Sequence, residues 1–304
     1  MNFYERIPLR WFDSLRRGAA TLPRTDLRRK ACVAILKAAS KGRPISPYLS
    51  EIRPPDRLDL SFEPADSMVI DSIYWFGTRG YEGILVDVWA KLCRDARNIL
   101  EIGGNIGFYT VIGGQASRGD YTVVEPVPRV AEVLRRNLAR NNLAIDRVKV
   151  IVGAATPDEV ARDVQLNIPN EGRQVPVGAH LVAGTEVSNR STLQSVTVPG
   201  FPCAGLAAGR DLIKIDAEGV EAELLTASMP VLAERRPALV IEVLPEAARL
   251  ARVIAELARA YGYVINVIPA YGSDLIVQVN PDDFTAGTPA KYKSKDVVLA
   301  THDL

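Results

Sequence analysis

A chain of 304 residues with 47% hydrophobic and 24% charged content buries one large core with room for a small accessory region, which marks a globular protein. Cys32, Cys93 and Cys203 are odd in number and widely spaced, which excludes a disulfide framework and a CxxC motif, and two histidines, His180 and His302, exclude an all-histidine metal site. The net charge of +1 hides an asymmetry: residues 1–57 carry thirteen Lys+Arg against five Asp+Glu, and the rest carry twenty-four against thirty-one, a net −7.

The first sixty residues are broken by Pro23, Pro44, Pro47, Pro54 and Pro55, a pattern of helices joined by rigid turns. Residues 1–66 are therefore expected to form a helical N-terminal extension. Its basic and aromatic residues would cap the core, pack on a second copy in a homodimer, or touch a membrane surface peripherally. No apolar stretch approaches the length of a membrane span, and the first residues lack the apolar run of a secretory signal, so a cytoplasmic location is expected.

From Ser67 to Cys93 apolar residues recur at helical spacing, interrupted by Gly77, Gly80 and Gly83. Strand and helix then alternate. Ile99–Ile102 is a predicted strand, Ile106–Ala116 a helix and Tyr121–Glu125 a strand. Val130, Leu134 and Leu138 mark one face of a helix, and Val148–Val152 a third strand. After an irregular stretch, 156–210, with short strands at Val164–Ile168 and Val196–Val198, come a strand at Asp211–Asp216, a helix at Glu221–Met229, a strand at Leu239–Val243 and a helix from Leu250 closed by Gly262. Val264–Ile268 and Leu275–Val279 read as closing strands. The repetition predicts an α/β fold: a doubly wound, mostly parallel sheet with helices on both faces, formed by residues 67–304. Fifty residues without a clear helix exceed a plain connection, so 156–210 is expected to be an insertion that forms a lid or substrate wall.

Glu101-Ile102-Gly103-Gly104-Asn105-Ile106-Gly107 runs from a buried strand into a three-glycine turn, where backbone amides can close on a ligand at a helix N-terminus. A dinucleotide fingerprint needs a glycine where Asn105 stands, and Glu101 would repel phosphates, so a cationic ligand fits better. S-adenosylmethionine has a sulfonium, an ammonium and no phosphate. In an open parallel sheet the ligand sits beyond the carboxyl ends of the strands, and these ends supply Glu101, Glu125, the Ala154-Ala155 turn, Asp216 with Glu218, and Glu242. Glu125 followed by Pro126 ends the second strand, where a carboxylate accepts hydrogen bonds from both ribose hydroxyls. Alternation along Lys214-Ile215-Asp216 puts Lys214 and Asp216 on one side.

The turn, the Glu125-Pro126 strand end and the block Lys214-Ile215-Asp216-Ala217-Glu218-Gly219-Val220-Glu221 together resemble the FkbM family of S-adenosylmethionine-dependent methyltransferases, in order and spacing, over roughly residues 67–280. The family usually has D-I-G-A-N at the turn, so Glu101 and Gly104 depart from it. The resemblance implies a seven-stranded, Rossmann-like class I methyltransferase fold and O-methylation of a hydroxyl on a sugar, glycan or other natural product.

Proton removal from a hydroxyl calls for a carboxylate or a metal ion on the oxygen. Asp216 or Glu218 is the expected base, with Glu242 nearby and Lys214 orienting the acids. Mg²⁺ held by Asp216, Glu218 and Glu242 is one variant, and His180 as base is another. Two other classes stand beside this reading: an NAD(P)-dependent oxidoreductase, and a non-catalytic methyltransferase-like assembly protein. A nucleic-acid substrate is not expected, because the core has no basic, aromatic-lined surface.

Overall fold

A computed structural model describes residues 49–304 apart from 66, 144–145, 170–179, 182–192 and 271–273, together with residues 14 and 18. The expected helical extension therefore lies almost wholly outside the described residues. Its last part is described: Ile52 pairs with Phe62 in an isolated antiparallel bridge, and Ile52, Leu60 and Phe62 are buried in the main core.

Two helices lead in, α1 (Met68–Phe76) and α2 (Leu85–Asp95). Ser67 caps α1 through its side-chain oxygen, which accepts from the Val69 amide at 3.2 Å. There follow β1 (Asn98–Ile102), α3 (Phe108–Ala116), β2 (Asp120–Glu125), α4 (Pro128–Arg140) and β3 (Val148–Val152). Pro128 opens α4 at a position where no amide is needed. After the insertion come β8 (Leu212–Ile215), α6 (Glu221–Arg235), β9 (Ala238–Glu242), α7 (Ala248–Tyr261), β10 (Val264–Ile268), β11 (Val277–Val279), α8 (Thr288–Lys291) and β12 (Asp296–Ala300).

The main sheet has the order β11-β10-β12-β9-β8-β1-β2-β3. β3, β2, β1, β8 and β9 run parallel in sequence, and β12 is antiparallel to both β9 and β10. This is the doubly wound class I methyltransferase architecture, with eight strands rather than the expected seven. The eight include β12, which slots between β9 and β10. Its five-residue run, Asp-Val-Val-Leu-Ala, follows a polar Lys-Ser-Lys stretch close to the chain end and gives little periodicity to read. Apolar clusters cover both faces, one around Trp75, Trp89 and Leu134, the other around Leu224, Ile254 and Leu257.

The described part of the insertion holds longer strands than its composition suggests. β4 (Ala154–Thr156), β5 (Arg162–Pro169), β6 (His180–Leu181) and β7 (Leu193–Pro202) make a second sheet of order β4-β7-β5-β6, followed by the short helix α5 (Cys203–Ala207). β5 and β7 pair antiparallel from Arg162–Gly200 to Pro169–Leu193. Among the described residues no helix is long and apolar enough to cross a membrane.

Trp89 ties α2 to the sheet: it is fully buried, its indole N–H donates to the Tyr109 carbonyl at 3.0 Å, and its ring meets Tyr121 edge-on. Trp89→Ala removes that contact and leaves a cavity, so denaturant titration should show a loss of about 3–5 kcal/mol. A loss under about 1 kcal/mol would contradict this packing.

Candidate functional site

The carboxyl ends of the parallel strands open into a cavity of about 290 Å³. Ile102 at the end of β1 with Gly103 and Asn105 after it, Val124 and Glu125 at the end of β2 with Pro126 and Val127 after it, Ala154 and Ala155 beyond β3, Asp216 to Glu218 after β8, and Glu242 at the end of β9 with Leu244 beyond it all line it. Met68 and Val69 of α1, Tyr81, Val130, Leu166 of β5, Val220 and Lys295 complete the wall. Gly103, Asn105, Glu125, Pro126, Ala154, Ala155, Asp216, Glu218 and Glu242 are thus brought together as expected from the sequence.

The glycine turn is built differently from that expectation. The amides of Gly103 and Gly104 both donate to the Val124 carbonyl, at 2.9 and 3.1 Å. The Asn105 amide donates to Glu125 Oε2 at 2.7 Å, the Ile106 amide to Asn105 Oδ1 at 2.7 Å, and the Gly107 amide to the Gly104 carbonyl at 2.8 Å. All five amides are engaged inside the protein, so the turn offers no nest for phosphates. Glycine is required at Gly103, where φ is +87° and a Cβ would strike the Asp216 carbonyl oxygen. Gly104 and Gly107 pack behind the turn against Leu134 rather than on the cavity wall.

Glu101 does not face the cavity. Its carboxylate is buried and accepts from Thr110 Oγ1 at 2.9 Å and from the Tyr121 hydroxyl, joining β1 to α3 and β2. Burial pushes its carboxyl up to about 7, opposed by the neighbouring Lys214 ammonium. Phosphate exclusion therefore belongs to the engaged amides rather than to this charge.

Glu125 meets the cavity at the end of β2. One oxygen accepts from the Asn105 amide and the other from the Val127 amide at 2.9 Å, which fixes the carboxylate while both oxygens keep lone pairs. Burial pushes it up to about 7 against the pull of these amides.

Lys214 lies beneath the wall, with its ammonium 4.9 Å from the centre of the Tyr109 ring, and donates to Asp216 Oδ2 at 2.8 Å. Burial alone would raise Asp216, but the Lys214 ammonium and then Lys295 outweigh it and hold the carboxyl below its ordinary value. Glu218 adopts a left-handed φ of 54° on the wall. Glu221, the first residue of α6, turns away and ties down the turn before the helix, accepting from the Ala217 and Gly219 amides at 2.9 and 3.0 Å.

Glu242 pairs with Lys295, and burial with the Asp216 charge beside it pushes its carboxyl up to about 7 against the Lys295 ammonium. Lys295 also pairs with buried Glu82 at 3.0 Å. Neither Lys295 nor Glu82 was expected from the sequence, because β12 was not read as a strand and Glu82 stands in a glycine-broken segment.

Among the described residues no group of three or more His, Cys, Asp or Glu is placed to hold a metal ion, and lysine ammoniums hold Asp216 and Glu242. His180 sits on β6 opposite Asn167, and its side chain lies outside what is described.

The methyltransferase FkbM domain model matches residues 101–265. This chain belongs to that family. No curated protein matches it. Among solved structures it is similar to an FkbM methyltransferase from Methylobacillus flagellatus KT (13% identity, 78% of this chain and 56% of that one, TM-score 0.42). It is also similar to an O-methyltransferase from Bacillus cereus in complex with SAH (17%, 71% and 79%, 0.38) and to the O-methyltransferase TomG of tomaymycin synthesis from Streptomyces achromogenes in complex with SAM (15%, 71% and 78%, 0.38).

Folded Glu101 binds its proton more tightly than the unfolded chain does, so stability present at low pH is lost as pH rises from 4.5 towards about 7. Glu101→Gln removes that dependence. Denaturant titrations at about pH 5 and about pH 8 should show a decline in the wild type exceeding that of the variant by about 2–3 kcal/mol. Equal declines would refute the burial of Glu101.

Proposed function

We propose that this FkbM-family chain is an S-adenosylmethionine-dependent O-methyltransferase acting on a hydroxyl of a sugar, glycan or other natural-product intermediate. The observation that carries this reading is the pairing of a cavity-facing Glu125 carboxylate with a turn whose five amides are engaged internally. Such a site can take the ribose of a nucleoside and has nothing to offer the pyrophosphate of NAD(P).

The residues present fit the donor. Glu125 would accept from the ribose hydroxyls, and Val127, Val130 and Leu166 supply apolar wall for a base. Among the described lining residues there are four acids, Glu125, Asp216, Glu218 and Glu242, and one cation, Lys295; with Lys214 on Asp216 behind the wall the acids still outnumber the cations, which favours a positively charged ligand. When bound, S-adenosylmethionine supplies a methyl group on a sulfonium: the acceptor oxygen bonds to carbon as the carbon–sulfur bond breaks and its electron pair returns to sulfur.

The chain's own task is then alignment, exclusion of water and removal of the hydroxyl proton. Of the acids expected to take that proton, Asp216 is held ionised and weakly basic by Lys214. Glu242, pushed up to about 7, is better matched to accept a proton near neutral pH, so we assign it the role of base and give Asp216 an electrostatic one. Leu166 brings the 156–210 insertion to the cavity, in keeping with a substrate wall there. A small, hydroxyl-bearing acceptor suits a cavity of this size.

Calorimetric titration should show binding of S-adenosylhomocysteine and none of NADH; the reverse result would sink the reading. Glu125→Gln should weaken that binding about 10–100-fold, the loss of a hydrogen bond to a charged group. Labelled methyl transfer from S-adenosylmethionine into a small-molecule extract should rise with pH through about 7 and fall roughly 10²–10⁴-fold in Glu242→Gln. Full transfer by that variant would remove Glu242 from the role.

A further inference from the structure

Lys295 stands on the cavity wall immediately before β12, and the reaction outlined above gives it no task. Its ammonium is held from two sides. It pairs with Glu242 at the end of β9 and with Glu82 at 3.0 Å, and it lies 5.7 Å from the centre of the Tyr81 ring, within cation–π range.

The roots of the Lys295–Glu242 pair are fixed as firmly as the tips. The Val243 amide, next to Glu242, donates to the Lys295 carbonyl at 2.6 Å, and Asp296 is the register partner of Glu242 across β9 and β12. Glu82 is 3% exposed, and neither of its carboxylate oxygens has a hydrogen-bond partner, so the Lys295 ammonium at 3.0 Å is the cation that compensates it.

Glu242 needs such a tether. Asp216 and Glu218 face it from the turn after β8, so two acids push against it, while Asp296, its neighbour on β12, is held towards its neutral form by burial. Lys214 already serves Asp216. A glutamate on a flexible side chain beside like charges would swing away or take up a proton unless a cation held it.

The geometry points to Lys295 as the positioning residue that holds the Glu242 carboxylate in the cavity wall, with buried Glu82 as its second anionic partner. The consequence for proton removal rests on the methyl-transfer reading; the tether itself does not.

The test uses the full chain as Lys295→Met, Lys295→Arg and the pair Glu82→Gln with Lys295→Met, each with and without Glu242→Gln. Infrared difference spectra between each protein and its Glu242→Gln counterpart isolate the Glu242 carboxyl band. The paired variant keeps the test valid if Lys295→Met alone cannot fold around an unpaired Glu82. Loss of the ammonium should move the Glu242 transition upward by roughly 1–3 pH units. Lys295→Arg, which keeps the charge, should return it close to the wild-type position. An unmoved band in both Met-bearing proteins overturns the assignment, and so does a shifted band that arginine fails to restore. S-adenosylhomocysteine titrated into the wild type separates the two claims. No binding defeats the methyl-donor reading whatever Glu242 does; binding with an unmoved band defeats only the role of Lys295.

Discussion

The site depends on the way the end of β2 takes hold of the turn after β1. One carbonyl, that of Val124, receives the amides of Gly103 and Gly104, and one carboxylate, that of Glu125, receives the amide of Asn105. These bonds satisfy donors that would otherwise be buried without partners. They also fix the direction in which Glu125 looks and leave the turn unable to receive phosphate. Structure and selectivity are set by the same three hydrogen bonds. The positive φ of Gly103 follows from this closure, because the turn must pass so near the Asp216 carbonyl that no side chain fits.

Charge compensation is the second constraint. Glu101, Asp216, Glu242, Glu82 and Asp296 are carried into or against the core by strand ends and by the loop before α2, and two lysines, Lys214 and Lys295, stand among them. Isolated buried carboxylates would cost several kcal/mol each, and pairing with ammoniums recovers part of that. The lysines are not equivalent. Lys214, fully enclosed, stabilises Asp216 as an anion, while Lys295 opens onto the cavity and leaves Glu242 close to neutrality. Two adjacent acids are thereby given different protonation behaviour by their surroundings, which is the condition for dividing electrostatic and proton-accepting work between them.

What could be read from residues alone follows from how far each signal travels along the chain. The alternation of strands and helices was legible because every parallel strand but β3 is a short apolar run followed by a helix, as at Val123–Val124 and Val130–Leu134. Strand-end acids could be placed on one edge because all parallel strands end there. The direction of Glu101 was not legible. It stands one residue before Ile102, which reaches the cavity, and a one-residue step reverses a strand's side chains, so Glu101 points into the layer beneath α3. Lys295 and Glu82 were hidden for another reason: their meeting depends on an antiparallel strand inserted out of chain order between β9 and β10, a pairing about 210 residues apart with no local pattern to announce it.

The lysines also bear on why the acids do not read as a metal centre, although aspartate and glutamate at adjoining strand ends are the hard oxygen donors a divalent ion prefers. An ammonium 2.8 Å from Asp216 and another on Glu242 occupy directions from which a cation would be coordinated, and each brings only a single charge. The described residues of the wall still hold more acids than cations, an arrangement that protons on Glu125 and Glu242 relieve in part and that a cationic ligand in the cavity would relieve further. In the proposed methyl transfer a sulfonium would meet that need while bound and cease to meet it once the methyl group had left, so the field that draws the donor in would weaken the hold on the neutral thioether product.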